Sequence, residues 1–416
     1  MWAVLREGWA RRPEQVALRH LDGSGSLTYR QLDEAVGRRA DLLDGAGIGT
    51  GSRLGVAVGS PHEVVLGVLA GTACGADVAV FNPGWWPREL RPALELAEPD
   101  LTVAGGELAA IAADVGPVCT PEEAVDGPGG WGRLRLDVGA PRRRDGVYGD
   151  GRYNETLDKS SDKAGGGLLC FTAGVWGEPS AYHFDAAQLA EHWLGPVESL
   201  DEGVTLLAGE IATAAGLRCA LQVLAAGGQL VTGGRWAPAR LARQLRTGGF
   251  DRVWAGAGQL NQLAARLSGS RLASGAPETG PSDRDGSSRD PLLPALRRID
   301  AFGGPVHRSA AECFEALFGA PVLSSYALTE SGGPATAGAP RAGAFHRPLD
   351  VGAARPGLQV EVVGPDGVPR PRDELGDVYL EGAALGRAPD RRGSIGGGTR
   401  VRPTGATGAT LSLIHI

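Results

Sequence analysis

The sequence predicts an α/β fold in which helices cover the faces of a mainly parallel sheet, with a small antiparallel β unit towards the carboxyl end. Two observations predict the α/β part: short apolar strands alternate with helical segments of roughly 10 to 15 residues, and this order recurs along most of the chain. A third observation predicts the β unit, because the turn sequence GPDG at 364–367 is flanked by alternating apolar residues.

In the first half of the chain, a helix is expected at 27–48. Thr28 and Gln31 have the spacing of a capping box there, and apolar residues then recur at helical intervals. The elements that follow alternate in type, with strands at 53–60, 76–83 and 101–105 and helices at 61–74 and 86–100. Polar, glycine-rich sequence from 137 to 167 then indicates a surface connection.

The alternation resumes after this connection. Strands are expected at 167–174, 204–209, 229–234, 252–258, 296–304 and 321–330, with helices at 212–228, 238–249 and 309–318. The segment 268–291 is poor in apolar residues, which predicts a mobile insertion. Residues 347–382 contain the GPDG turn and are expected to form the antiparallel unit.

The length of 416 residues exceeds what one core supports, because domains run roughly 100 to 200 residues. We expect a first α/β subdomain at 1–165, a second at 166–335 and a small β subdomain at 336–400. The final stretch, 401–416, is repetitive and ends in LSLIHI, so we expect a non-native or disordered tail.

Composition excludes several classes of protein. The net charge of -7 gives no electrostatic reason to expect nucleic acid or an anionic membrane as partner. No apolar run approaches the roughly 20 residues of a membrane span, and charges interrupt the amino-terminal segment, so a cytoplasmic location is expected. The five cysteines are scattered without CxxC spacing and indicate buried thiols in a reducing compartment.

Four segments, taken in order, carry a resemblance to a known family. They are LTYRQLDEAVGRRADLL, LAGTACGADVAVFNPGWWPREL, FTAGVWGEPSAYHF and AFGGPVHRSAAECFEALFGAPVLSSYALTE. Over about 25–385 the chain resembles the large N-terminal domain of the adenylate-forming (AMP-binding) superfamily, which includes acyl-CoA synthetases, nonribosomal peptide synthetase adenylation domains and luciferases. The resemblance implies two helix-flanked, mainly parallel sheets plus a small antiparallel β subdomain. The small C-terminal domain of the family is expected to be absent.

The resemblance also implies a reaction. In this family a small-molecule carboxylate attacks the α-phosphate of ATP, which gives an acyl-adenylate and pyrophosphate, and a thiol then takes the acyl group. ATP and Mg²⁺ are the implied cofactors, with coenzyme A or a carrier protein as the thiol acceptor. The chemistry needs amides around the phosphates, a cation near developing charge and a carboxylate for the metal.

Site residues follow from the resemblance by position. The implied nucleotide-binding residues are Thr172, Gly174 and Gly177 in the phosphate loop, Gly303, Gly304 and Pro305 along the purine, and Tyr326 against the adenine. The implied catalytic residues are Thr329, which contacts phosphate, and Glu330, which binds the metal. Glycine suits the purine turn because the absence of a side chain permits close approach.

The phosphate loop departs from the family pattern in its side chains. Ala173, Val175 and Trp176 replace hydroxyl residues, and Ser180 stands where the family has a lysine. Losing a charge-assisted phosphate contact costs on the order of 1.5–3 kcal/mol. Only two lysines occur in the chain, at 159 and 163; either one substitutes from upstream, or both are solvated surface charges.

Other positions depart in the same direction. Gly209 and Glu210 replace an aromatic–histidine pair, which affects the carboxylate pocket. Phe302 replaces a glycine beside the purine turn, and Ala406 stands where an aspartate holds the ribose hydroxyls.

Three interpretations therefore stay open. The leading one is an adenylate-forming ligase of acyl-CoA synthetase type with impaired activity. The alternative is a non-catalytic descendant, a pseudoenzyme that binds a nucleotide, an acyl group or a protein partner. A third, a truncated or frameshifted fragment of an active enzyme, explains the missing C-terminal domain but leaves Ser180 unexplained.

Overall fold

A computed structural model of the chain describes eleven stretches of residues. They are 1–120, 135–136, 166–172, 179–195, 202–233, 236–273, 293–338, 350–364, 366, 368–371 and 376–387. These residues form two seven-stranded sheets and three two-stranded antiparallel pairs, flanked by helices. The predicted α/β class with mainly parallel sheets and a small antiparallel part is confirmed.

The helices of the described residues are α1 (Trp2–Trp9), α2 (Tyr29–Gly45), α3 (Pro61–Ala73), α4 (Pro87–Ala97), α5 (Glu107–Ala113), α6 (Ala186–Gln188), α7 (Ala214–Ala225), α8 (Pro238–Thr247), α9 (Ala257–Ala273) and α10 (Arg308–Phe318). Helix α6 continues directly into a π-helical turn, Leu189–Trp193.

The first sheet has the strand order β7-β6-β5-β3-β4-β8-β9. Its strands are β3 (Arg53–Ala57), β4 (Asp77–Val80), β5 (Leu101–Ala104), β6 (Val118–Thr120), β7 (Arg135–Leu136), β8 (Leu168–Phe171) and β9 (Ala181–Phe184). The neighbours pair in parallel except at the two edges, where β6 pairs with β7 and β8 with β9 in antiparallel fashion.

The second sheet has the order β14-β13-β12-β10-β11-β1-β2. Its strands are β1 (Val16–His20), β2 (Ser26–Thr28), β10 (Val204–Leu207), β11 (Gln229–Thr232), β12 (Arg252–Gly256), β13 (Arg298–Phe302) and β14 (Val322–Ser325). All of its neighbours are parallel except the amino-terminal hairpin β1–β2.

The remaining strands form the three small pairs. They are β15 (Ala327–Leu328) with β16 (Gly333–Pro334), β17 (Thr336–Ala337) with β18 (Ala353–Ala354), and β19 (Gln359–Val363) with β20 (Asp377–Glu381). At the predicted GPDG hairpin the chain turns back directly after β19, because Gly364 N–H donates to Val368 O at 2.9 Å. Pro365 and Gly367 lie outside the described residues.

The predicted capping box is present at the start of α2. Thr28 Oγ1 accepts from Gln31 N–H at 3.3 Å, and Gln31 Oε1 accepts from Thr28 N–H at 2.9 Å. Helix α2 begins at Tyr29, two residues after the predicted start at residue 27, because residues 27 and 28 belong to β2. This reciprocal cap satisfies two backbone N–H groups that the first helical turn leaves without partners.

The mobile insertion predicted at 268–291 does not begin at residue 268. Helix α9 runs through to Ala273, and residues 274–292 lie outside the described residues. Leu260, Leu263 and Leu267 recur at helical spacing and are all fully buried. Burial of this apolar stripe extends the helix into sequence whose composition alone indicates a loop.

Each sheet takes strands from the other side of the predicted boundary at residue 165. The hairpin β1–β2 belongs to the second sheet, and β8–β9 belongs to the first. One apolar core also includes residues of both sheets, among them Val56 from the first and Leu207 and Trp254 from the second. The subdomain division remains a prediction, but the sheets are not built from two contiguous halves.

All five cysteines are free thiols. Cys119, Cys170 and Cys219 are buried, whereas Cys74 and Cys313 are partly exposed. Among the described residues no helix is both long enough and apolar enough to cross a membrane.

Candidate functional site

Two turns begin side by side at the carboxyl edge of the second sheet. Strands β13 and β14 are parallel neighbours, and Phe302 lies opposite Ser325 in their register. The next residues are Gly303 on one strand and Tyr326 on the other, so the purine turn and the tyrosine motif start at the same level. Carboxyl ends of parallel strands are the usual ligand-binding edge of such sheets.

The purine turn, Gly303–Pro305, is open to solvent and needs glycine. Gly303 has φ +72° and Gly304 has φ +152°, values that side chains disfavour. A Cβ on Gly303 would have no atom within 4 Å, so the space above it is free for a ligand. Asn261 of α9 holds the end of the turn, donating to Pro305 O at 3.3 Å and accepting from His307 N–H at 2.9 Å.

Glu330 lies in a tight turn after β15, which we call the acid turn (residues 329–334). The residue is only 6 % exposed, no hydrogen bond or ion pair joins its carboxylate to a described residue, and its carboxylate oxygens are not among the fully buried polar atoms without a partner. A carboxylate without a cationic partner among the described residues can accept a bound positive charge. A carboxylate oxygen is a preferred ligand of Mg²⁺, and Glu330 therefore fits the metal role that its position implies.

Tyr326 adds a second polar group that lacks a partner. Its hydroxyl is buried and makes no hydrogen bond. Burial, and then the charge of Glu330, raises the pKa of Tyr326 to about 12. Its ring packs against the small β unit around Leu358 and Leu380. The hydroxyl is thus a free donor close to an unpaired carboxylate.

The acid turn is docked on the π-helical turn and α7. Gly332 has φ +64°, and a Cβ there would lie 2.5 Å from Nε1 of Trp193. Arg218 of α7 donates to Ser331 O and Pro334 O, and Ser331 Oγ donates to Gly333 O at 2.6 Å. The hydroxyl of Thr329 makes no hydrogen bond with the described residues and stays available.

The phosphate loop is closed at its base. Thr172 N–H donates to Ser180 O at 2.9 Å, and Ser180 N–H donates to Thr172 Oγ1 at 3.0 Å. The Thr172 hydroxyl is therefore already used by the backbone of Ser180. Gly174, Gly177, both lysines and Ala406 lie outside the described residues, so their predicted roles stay predictions.

Two consecutive residues connect the phosphate-loop side to the acid turn. Gly386 N–H donates to Glu330 O at 2.8 Å. Arg387 forms a backbone bridge with His183 of β9, the strand that leaves the loop. The structure therefore joins the strand following Ser180 and the turn bearing Glu330 through one short segment.

The replaced positions near the purine turn compensate each other. A Cβ on Gly209 would lie 3.3 Å from Cζ of Phe302, whose ring also contacts Trp254 with centroids 6.0 Å apart. The aromatic bulk missing at 209 thus comes from 302. Partial burial raises the pKa of the neighbouring Glu210, although much of its side chain is open to solvent.

Sequence reasoning missed the residues that support the site, namely Asn261, Trp193 and Arg218. Each contacts a segment distant in the chain, and Arg218 is 113 residues from Ser331. The only local signal is an arginine and a glutamine four residues apart in an otherwise apolar stretch of α7, LRCALQVLA.

Comparison with known proteins shows the family to which this chain belongs. A family model described as AMP-binding enzyme matches residues 5–388. A search among curated proteins found no match.

Several solved structures share the fold. The N-terminal domain of FACL13 from Mycobacterium tuberculosis has a TM-score of 0.68 at 18% identity, covering 94% of this chain and 91% of that one. VinN has a TM-score of 0.69 at 21% identity, covering 93% and 88%. ATP-bound MatB from Rhodopseudomonas palustris has a TM-score of 0.66 at 20% identity, covering 93% and 71%.

Proposed function

Because this chain belongs to the AMP-binding enzyme family, we propose that it is an adenylate-forming ligase of acyl-CoA synthetase type. It activates a small carboxylic acid with ATP in the cytoplasm and passes the acyl group to a thiol, either coenzyme A or a carrier protein. The observation that carries the proposal is the acidic side chain of Glu330, a residue only 6% exposed whose carboxylate has no cationic partner among the described residues.

The nucleotide is proposed to lie along the carboxyl edge of the second sheet. Its purine runs over Gly303 and Gly304, where open space and positive φ angles support close approach. The partly exposed side chain of Tyr326 flanks the adenine, while its hydroxyl is buried and has no hydrogen bond with a described residue. The phosphates extend towards the loop whose base is the Thr172–Ser180 pair.

The proposed reaction is attack of a carboxylate oxygen on the α-phosphorus of ATP, with pyrophosphate as the leaving group. Mg²⁺ held by Glu330 would supply positive charge to the phosphate oxygens. The hydroxyl of Thr329 is proposed to donate to a phosphate oxygen, and binding of the other phosphate oxygens is the role predicted for the loop amides. These donors act on negative charge in a partly buried site, where each contact is worth more than in water.

We propose further that adenylation is slow. Ser180 is exposed and carries no charge, and the Thr172 hydroxyl is engaged by the Ser180 backbone. One missing charge-assisted contact corresponds to about 1.5–3 kcal/mol, or roughly ten- to a hundredfold in an equilibrium constant.

The second candidate is a non-catalytic nucleotide-binding descendant. The same absence of a cation at Ser180 favours it, together with an acidic residue, Glu210, near the carboxyl edge. Retention of Glu330, whose carboxylate has no ion pair with a described residue, favours the ligase, because a purely structural role does not call for an unpaired carboxylate.

One experiment separates the candidates. Carboxylate-dependent exchange of pyrophosphate into ATP is measured over a panel of carboxylic acids, beside the melting temperature with ATP and Mg²⁺. A ligase gives weak exchange with at least one acid, together with a Mg²⁺-dependent stabilisation that Glu330→Gln abolishes. Stabilisation without exchange supports the binding descendant. If neither stabilisation nor exchange is observed, both candidates are contradicted.

A further inference from the structure

We propose that Arg218 is a positioning residue for Glu330: by holding the backbone of the acid turn against α7, it sets the place at which the carboxylate meets Mg²⁺. The inference rests on the proposed function for the identity of the metal. It assigns a role to a residue outside the motifs of the family resemblance. Arg218 touches neither substrate nor metal in this proposal and acts only through the turn.

The contacts of Arg218 converge on the acid turn. The residue is 4% exposed, and its Nη1 donates to Ser331 O at 3.4 Å and to Pro334 O at 3.5 Å. Ser331 follows Glu330 directly, and Pro334 ends the turn. Each contact is long and individually weak, but the positive charge strengthens both and together they span the turn.

Arg218 makes these contacts without an acidic partner. No described carboxylate hydrogen-bonds to it, and burial, and then repulsion from Arg355, lowers its pKa. A buried guanidinium is costly unless its donors are used. Its Nη1 and Nη2 groups donate to backbone carbonyls, while its buried Nε has no partner among the described residues, so the net effect is to fix the chain rather than to neutralise an acid.

The same side chain also binds the π-helical turn. Arg218 Nη2 donates to His192 O at 2.5 Å, and Gln222, one helical turn further along α7, donates to Trp193 O at 2.9 Å. The two side chains thus cap successive carbonyls at the end of the π-helical turn, where partners are otherwise missing. Among the described residues, the Gln222 side chain hydrogen-bonds only to the π-helical turn, whereas Arg218 also hydrogen-bonds to the acid turn.

Loss of Arg218 should therefore displace Glu330 rather than unfold the turn. Gly332 still packs against Trp193, and the hydroxyl of Ser331 still binds Gly333 O. Mg²⁺ demands near-ideal octahedral geometry at about 2.0–2.1 Å, so a small displacement of its ligand weakens binding. Lysine keeps the charge but cannot donate to both segments with a planar fork.

The test compares Arg218→Met with Gln222→Met as matched control. For each full-length variant the melting temperature is measured at saturating ATP while Mg²⁺ is titrated, which gives the Mg²⁺ concentration for half-maximal stabilisation. Arg218→Met is expected to raise that concentration about ten- to a hundredfold, the range for supporting residues of metal sites. Gln222→Met is expected to lower the baseline melting temperature and leave the Mg²⁺ midpoint unchanged. Arg218→Lys should fall between wild type and Arg218→Met.

The outcomes distinguish this inference from the proposed function. If both methionine variants shift the Mg²⁺ midpoint equally, Arg218 only supports packing and the inference fails while the ligase stands. If the wild type shows no Mg²⁺-dependent stabilisation, the metal role of Glu330 fails and this inference with it. Should Arg218→Met not fold, Arg218→Lys provides the test, and an unchanged midpoint there overturns the inference.

Discussion

The ring of Phe302 occupies the space that a side chain at position 209 would fill. A Cβ on Gly209 would lie 3.3 Å from Cζ of Phe302, although the two residues sit on different strands and are far apart in the chain. Phe302 ends β13, and Gly209 follows β10, with β12 between them in the sheet. The size of the side chain at position 209 is therefore limited by the size of the side chain at position 302.

This relationship predicts coupled stabilities. Gly209→Leu should destabilise the protein by about 1–3 kcal/mol, because the new side chain overpacks against Phe302. Phe302→Ala alone should also destabilise the protein, by less than the loss of about 3–5 kcal/mol for a fully buried phenylalanine, because Phe302 is partly exposed. In the double variant the leucine fills the space that the ring leaves, so the cost should be clearly smaller than the sum. Denaturant unfolding of all four proteins measures the coupling, and strict additivity would contradict the contact.

A second prediction compares two glycines of similar backbone geometry. Gly332 has φ +64° and would place a Cβ 2.5 Å from Trp193, whereas Gly303 has φ +72° and open space. Gly303→Ala should cost only the left-handed strain, about 1–2 kcal/mol. Gly332→Ala should cost visibly more, because the buried indole must also move. Equal losses in chemical unfolding would show that the Trp193 contact contributes nothing.

The third prediction concerns pH and a histidine pair formed by strand β1 and helix α3. His20 and His62 stack with ring centroids 3.6 Å apart. Burial, and then repulsion from His20, lowers the pKa of His62 to about 4. Burial also lowers the pKa of His20, against the opposing charges of Asp22 and Glu63.

The sign of the effect follows from the direction of the shift. An unfolded histidine takes up a proton near pH 6.5, whereas folded His62 resists it down to about pH 4. Between these values the unfolded chain binds more protons, so stability should fall by about 3 kcal/mol as the pH drops. His62→Phe should remove most of this slope, apart from the part due to His20. The free energy of unfolding of both proteins between pH 7 and pH 4 checks this, and parallel curves would exclude His62 as the cause.

Local sequence patterns predicted those parts of the fold that depend on local physics. The capping box at Thr28 and Gln31 and the alternation of strands and helices depend on residues a few positions apart. Helix α9 was not predicted from the sequence, because it depends on burial of residues such as Leu267 by other helices. The purine turn and Tyr326 could be placed together, since both follow strands of one sheet.

The supporting residues of the site could not be predicted for a physical reason. Asn261 reaches Pro305 across 44 positions, and Arg218 reaches Ser331 across 113. Such contacts depend on tertiary packing and leave no periodic signal in the sequence. The contact between Gly209 and Phe302 could not be predicted for the same reason. In the sequence, Gly209 appears only as a missing aromatic side chain and Phe302 only as an additional one.

The last prediction concerns Asp300, a buried carboxylate on strand β13. Asp300 is 7% exposed and pairs with Arg252, which is 6% exposed, and with Arg298 through bonds of 2.7 and 3.0 Å. Burial alone would raise the pKa of Asp300, but the two guanidinium groups outweigh it and the pKa is lowered. The carboxylate is therefore charged and is needed to balance buried positive charge.

Replacing that carboxylate should be among the most damaging single changes in the chain. Asp300→Asn keeps the size but leaves Arg252 buried without its counter-charge, for an expected loss of about 3–5 kcal/mol. Glu312→Gln is the matched control, because its ion pair with Arg308 at 2.8 Å is exposed and should contribute about 0–1 kcal/mol. Arg252→Met in the Asp300→Asn background should recover part of the loss, since it removes the uncompensated cation. Urea unfolding of the four proteins checks the prediction, and a loss at Asp300 no larger than that at Glu312 would contradict it.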